Sequence, residues 1–306
     1  QVVDALRREN VDFPAGSENI EVDFTAPGVP VKQLAELGPA LAVGDTAMLP
    51  APLPQPQTYF TNLKDGDRIE TPFVLKFGLS RSGLAAITKD VRDTGHHHLL
   101  VNRELPLDFT QPLPFNDQYR HFGKGQMEAV LDFKPGTYTL RLLLADHRHI
   151  PFFIYSKPMT VTVTAKNDKL DVKTLVKPGI ELLSPRQGEA LSVPFRVQFH
   201  ASGLNVSHTD IADAGVGHFR LVAQTKGGAV ERIAFANGAT EGWLKPPPGD
   251  YTLKLELVSN APGGAVMASG GIKTCGDAEG ALEIGADIVA IGRAVVVDPE
   301  WLAKVR

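Results

Sequence analysis

Gly95-His96-His97-His98-Leu99-Leu100-Val101 is answered 122 positions later by Gly217-His218-Phe219-Arg220-Leu221-Val222. The second copy orients the first. Phe219 and Leu221 are the apolar members of an alternating strand, in which successive side chains point to opposite faces. His97 and Leu99, at the same positions, therefore face a core. His96 and His98 share the opposite, outward face, about 7 Å apart.

Other positions recur in the same order. Gly66 matches Gly188, Pro72-Phe73 matches Pro194-Phe195, and Phe77 matches Phe199, all at an offset of 122. Pro135-Gly136 before Tyr138-Thr139-Leu140 matches Pro248-Gly249 before Tyr251-Thr252-Leu253 at an offset of 113. A duplicated fold accounts for this recurrence. Within the first copy, Phe73 to Phe77, His96 to Val101, Tyr138 to Leu142 and Met159 to Val163 read as strands. They are separated by the turns Lys64-Asp65-Gly66-Asp67, Lys134-Pro135-Gly136 and Ser156-Lys157-Pro158. No amphipathic helix of ten residues interrupts them. The fold expected is all-β: two tandem immunoglobulin-like antiparallel β-sandwiches, over 58–164 and 179–268, joined by a linker over 165–178.

Around these units the composition changes. Residues 1–57 are read as a Pro-rich strap, because Pro50, Pro52, Pro54 and Pro56 impose extended backbone. The tail, 269–306, reads as a short α/β segment after a strand at Ala265 to Ala268. A helix is expected from Asp277 to Ile284, a strand from Asp287 to Ile291 and a helix from Pro299 to Val305. The start at Gln1, with no basic and apolar leader, suggests a processed product. No apolar run reaches 18 residues, so no membrane-spanning segment is expected. A net charge of −4 with both signs interspersed argues against nucleic acid as a partner. Cys275 is the only cysteine, which excludes an intrachain disulfide and a multi-thiolate metal site.

Six of the nine histidines lie between positions 96 and 149. His147 and His149 repeat the i, i+2 spacing of His96 and His98. If both segments are strands, the two pairs would close on one Zn²⁺ or Cu²⁺, with His121 as a further ligand. Loop-bridging hydrogen bonds are the competing reading. Arg220 replaces His98 in the second copy, so no metal site is expected there, since a cation among the ligands is repulsive. For catalysis the sequence offers no Gly-x-Ser-x-Gly, P-loop or Rossmann pattern. Asp117, Glu128 and Asp146 lie near the histidines as carboxylates that could orient a ligand or act as a base.

Gly95-His96-His97-His98-Leu99-Leu100-Val101, Leu113-Pro114-Phe115-Asn116-Asp117, His121-Phe122-Gly123-Lys124-Gly125-Gln126, Lys134-Pro135-Gly136 and Ala145-Asp146-His147-Arg148-His149 together resemble the bacterial family of domain of unknown function 4399. The second unit resembles a divergent copy. That resemblance implies an exported, periplasmic or extracellular protein and no assigned activity. Val3 to Val11 with Pro14-Ala15-Gly16 resembles a short stretch of the periplasmic part of resistance-nodulation-division efflux pumps, too short to carry function. The tail resembles the C-terminal end of flavin-dependent TIM-barrel oxidoreductases of the old yellow enzyme type, where Gly270-Gly271 and Gly292-Arg293 would hold the flavin phosphate. A tail of this length cannot close an eight-stranded barrel, so FMN is not expected.

The leading expectation is a non-enzymatic exported binding or structural protein, with copper or zinc on His96, His98, His121, His147 and His149. An accessory structural subunit of a larger membrane-associated assembly, with a protein partner, is the first alternative. A metal-dependent enzyme is the second.

Overall fold

In Met159-Thr160-Val161-Thr162-Val163 every second residue is buried, the period expected of a strand with one face on a core. The computed structural model describes residues 42–43, 46–49, 55–225, 227–269, 286 and 288–290, all within one compact unit, Leu37–Arg306. Among them are the strands β1 (Ala42–Val43), β2 (Thr46–Leu49), β3 (Gln57–Phe60), β4 (Arg68–Thr71), β5 (Phe73–Ser80), β6 (Gly83–Leu84) and β7 (Thr94–Val101). There follow β8 (Tyr119–Phe122), β9 (Glu128–Leu131), β10 (Gly136–Ala145), β11 (Pro151–Tyr155) and β12 (Met159–Lys166). The second half adds β13 (Gly179–Ser184), β14 (Phe195–Ser202), β15 (Asn205–Val206), β16 (Val216–Thr225) and β17 (Val230–Ala234). It ends with β18 (Glu241–Lys245), β19 (Tyr251–Ser259), β20 (Val266–Ser269) and β21 (Ile288–Ala290). No described helix is long and apolar enough to cross a membrane.

In the first sandwich a three-stranded sheet, β3-β5-β9, faces the sheet β4-β12-β10-β7-β6, in which β8 adds to β7 and β11 to β10. Leu75, Phe77, Leu99, Leu131, Leu142 and Val161 fill the space between them. All eight residues of β7 are buried, so both of its faces are covered. Its outer face packs Leu100 with Leu113, Leu143 and Ala145, beneath the long loop that follows the strand. The expectation that His96 and His98 lie on an outward face is thus half corrected. They do point away from His97, but they are buried, with the rings of His121 and His149 against them.

The second sandwich repeats the pattern, with β14 and β18 in one sheet and β16, β17 and β19 in the other. Equivalent residues make equivalent bonds: Phe77 N donates to Met127 O at 2.8 Å, and Phe199 N donates to Thr240 O at 2.9 Å. The two cores merge, because Leu79, Leu84, Met127 and Leu144 of the first half pack with Phe199, Phe219 and Phe235 of the second.

The junction between the copies is pseudo-twofold. Leu84 N donates to Gly238 O, and Val206 N donates to Gly125 O, both at 2.9 Å. Leu84 corresponds to Val206 and Gly125 to Gly238 at the two offsets already noted, so each copy makes the same contact to the other. Side chains follow suit: Gln198 Nε2 donates to Tyr59 Oη at 3.0 Å, and Lys76, the counterpart of Gln198, pairs with Glu181, the counterpart of Tyr59, at 3.2 Å. Buried polar groups complete the seam. Tyr59 Oη donates to Glu241, which also pairs with Arg196, and Glu128 accepts from Ser202 Oγ and Gly203 N, both at 2.9 Å.

The strap is more than a spacer. Its strand β2 pairs antiparallel with β18, Leu49 opposite Trp243, so a segment preceding the first sandwich extends a sheet of the second. Across the expected linker, β12 continues to Lys166, and Asp171 caps a 3₁₀ turn at Val172–Thr174. In the tail, β20 pairs with β19 and β21 runs parallel to β20, which agrees with the two strands expected there. The two expected tail helices, Gly270-Gly271, Gly292-Arg293, Cys275, the polyproline run through Pro54 and the stretch Val3 to Gly16 lie outside the described residues.

Candidate metal centre

β7 delivers the site. Its Cβ atoms alternate, so His96 and His98 emerge on one face and His97 on the other. On the inner face, His97 stacks edge-on against Phe77 at 5.2 Å, as a core residue. Its Nδ1 lies 3.1 Å from Thr58 Oγ1, and that hydroxyl donates to Gly78 O at 3.1 Å. With the hydroxyl proton so engaged, His97 Nδ1 is the donor. Burial lowers the His97 pKa to about 3.

Two further imidazoles meet His96 and His98 on the outer face. β8 pairs antiparallel with β7 and sets His121 directly opposite His98. The fourth, His149, comes from the turn between β10 and β11. There Asp146 Oδ1 accepts from Arg148 N and Ile150 N, both at 2.8 Å, and His149 N donates to Asp146 O at 2.8 Å. The turn holds His149 at φ +68°, a left-handed conformation that costs a non-glycine residue about 1–3 kcal/mol and is concentrated at functional sites.

The His96 and His98 Nε2 atoms are 2.9 Å apart, those of His121 and His149 3.1 Å apart. One ligand atom from each of the four residues fits within 4.8 Å of the others. Around a tetrahedral Zn²⁺, nitrogens each at 2.0–2.1 Å are about 3.3–3.4 Å apart, so closing on an ion asks the most widely spaced pair to approach by up to about 1.5 Å. His96 and His98 are fully buried, while His121 and His149 are partly exposed. Phe115, 61% exposed, caps the open side, its ring edge-on to His121 at 5.1 Å and to His149 at 4.7 Å.

Electrostatics favour the neutral form of His96, His98 and His121. Burial first, then the charge that His98, His121, His149 or His97 would carry, pushes His96 down to about 2. Burial and the same neighbours take His98 to about 3, and burial with His149 lowers His121. Neutral imidazoles with free lone pairs are the metal-binding form. Among the described residues, His98 Nδ1 is buried with no hydrogen-bond partner, and such a group costs about 1–3 kcal/mol in either tautomer.

The fifth expected ligand stands elsewhere. His147 belongs to a turn rather than a strand, and its Nδ1 lies 3.3 Å from Asp90. The i, i+2 spacing puts two residues on one face only in a strand, so it fails in this turn. Glu128, a suggested base, is bound up in the junction with His200 at 3.1 Å. Sequence reasoning assigned no part to Phe115, whose signal is its place in a loop that returns over β7.

In the second copy the equivalent face is filled by fixed polar pairs. His218 Nδ1 lies 2.8 Å from Asn260 Oδ1, Arg220 is bonded to Glu256, and Ala234 occupies the place of His121 opposite Arg220.

No curated protein matches the chain. Among solved structures, the fibronectin(III)-like modules of Clostridium thermocellum CbhA are 12% identical, with a TM-score of 0.23, covering 66% of this chain and 85% of that one. The FN1-FN3 domains of chicken CNTN1 are 10% identical, with a TM-score of 0.19, covering 65% and 62%. Dimeric latent PorU from Porphyromonas gingivalis is 13% identical, with a TM-score of 0.24, covering 79% of this chain and 20% of that one. At these scores the likenesses carry no argument about activity or partners. The family model of the domain of unknown function (DUF4399) matches residues 75–164 and 197–269. With both halves matched over more than half of its length, the chain belongs to the DUF4399 family and carries two tandem copies of its domain.

Proposed function

We propose that this is an exported, non-enzymatic binding protein whose first sandwich holds one Cu²⁺ or Zn²⁺ through His96, His98, His121 and His149. The observation that carries the reading is the convergence of four imidazoles within 4.8 Å, two of them on one fully buried strand. An all-nitrogen donor set suits copper and zinc. Four protein ligands fill a tetrahedral ion and leave no position for a substrate, which favours binding over catalysis. Export rests on the family resemblance, and cell fractionation tests it. Elemental analysis of the purified native protein tests the rest. Near-stoichiometric copper or zinc, lost on His96→Ala with His98→Ala, is expected; a metal-free native protein that takes up neither ion overturns the reading.

A second reading, an accessory subunit with a protein partner, draws on exposed apolar side chains of β11 and of the loop after β7. Leu107, Phe153 and Tyr155 are exposed, and Phe109 stacks on Phe153 at 4.3 Å. A protein that remains monomeric and stable in its native extract counts against it.

A further inference from the structure

We propose that Gly123 is a positioning residue of the four-histidine centre: its missing side chain is the space into which the His121 ring turns. The inference rests on the metal reading and goes a step beyond it. A Cβ built on Gly123 would lie 2.3 Å from His121 Nε2 and 2.5 Å from its Cε1, with Ile87 Cγ2 at 3.2 Å. The nitrogen it would displace is the one that faces His149.

Backbone conformation does not explain this glycine, which is absent from the residues with positive φ. Nor can the chain slide away, because Gly123 O accepts from Ile87 N at 3.0 Å and β8 is held by β7. The part free to yield is the imidazole, at the far end of a rotatable side chain. An alanine is therefore cheap for the fold and expensive for the cluster.

The second copy supplies an independent observation. Phe122 and Gly125 recur as Phe235 and Gly238, which fixes the alignment across this segment. Within it Ala234 replaces His121 and Ala236 replaces Gly123. Where no imidazole has to be housed, the glycine is gone.

The test uses the full chain and four forms: wild type, Gly123→Ala, His121→Ala and the double variant. Zn²⁺ and Cu²⁺ affinities are read by chelator competition, thermal midpoints on metal-free protein, and the His121–His149 ring contact by proton NMR without metal. Gly123→Ala is expected to weaken binding by about 10–100-fold, the range for residues that orient a ligand. Its midpoint should stay at the wild-type value and the ring contact should vanish. In the His121→Ala background, adding Gly123→Ala should cost nothing further. Should Gly123→Ala fail to fold, the double variant, which removes the obstructing ring, is expected to fold.

Unchanged affinity with the ring contact kept, a further loss in the His121→Ala background, or a double variant no more foldable than the single one overturns the proposal. A wild type that binds neither ion, yet loses the ring contact on Gly123→Ala, overturns the metal reading and leaves the positioning role standing.

Discussion

His147 and His149 are two residues apart and share a turn, yet only one belongs to the cluster. Asp146 turns the chain so that His149 faces His121, while His147 faces Asp90 across the surface. Such a contact to a largely exposed carboxylate is worth about 0–1 kcal/mol. His147→Ala should therefore leave metal affinity and stability near wild type. His149→Ala should weaken metal binding by more than about tenfold, and chelator competition on the two variants separates them. Equal losses would mean the turn is wrongly assigned. At this scale His97 was legible from its replacement by Phe219, because a core position tolerates either ring. The separation of His147 from His149 was not, because Asp-His-Arg-His has strand spacing and only the Asp146 hydrogen bonds make it a turn.

An element can be present in full and still be misjudged for what covers it. β7 is such a case: its alternation and its repeat at β16 make it readable, but the cover on its outer face, His121 and His149 over His96 and His98 and the following loop over Leu100, is set by tertiary packing. Leu113 N donates to His149 O at 2.9 Å, so that loop and the β10–β11 turn are tied together over the strand. Within the turn, one carboxylate adds two bonds to the backbone pair between Asp146 and His149 or Ile150. Asp146→Ala removes two acceptor bonds to backbone N–H groups and frees His149 from its left-handed conformation. The expected result is a loss of about 1–2 kcal/mol in metal-free stability, by denaturant titration, together with weaker metal binding. Weaker stability with unchanged affinity would show that the turn does not position His149.

Over the whole molecule the two copies act as one body. Their merged core and reciprocal backbone bonds make the junction an isologous contact inside a single chain. A Cβ at Gly125 would lie 1.9 Å from Val206 O, and one at Gly238 would lie 2.2 Å from Leu84 O, with φ at +84° and +77°. Both obstacles are backbone and cannot swing aside. Gly125→Ala and Gly238→Ala should each destabilise the chain by about 2 kcal/mol or more, which lowers the thermal midpoint by several degrees. Similar losses are expected from the two, and a junction that tolerated either alanine would not be the tight pseudo-twofold contact described. The duplication was legible because glycines, prolines and aromatic core positions recur at fixed offsets. The merging of the cores was not, since Leu79 and Leu84 read equally well as core of their own sandwich. The pairing of β2 with β18 was hidden for a similar reason: an edge strand advertises its need for a neighbour but not which one.

X-ray absorption on the native, metal-loaded protein tests most directly that four imidazoles hold one ion. The account predicts about four nitrogen donors near 2.0–2.1 Å, with the multiple-scattering signature of histidine rings and no sulfur. A shell with sulfur, or with two or fewer imidazoles, would contradict it.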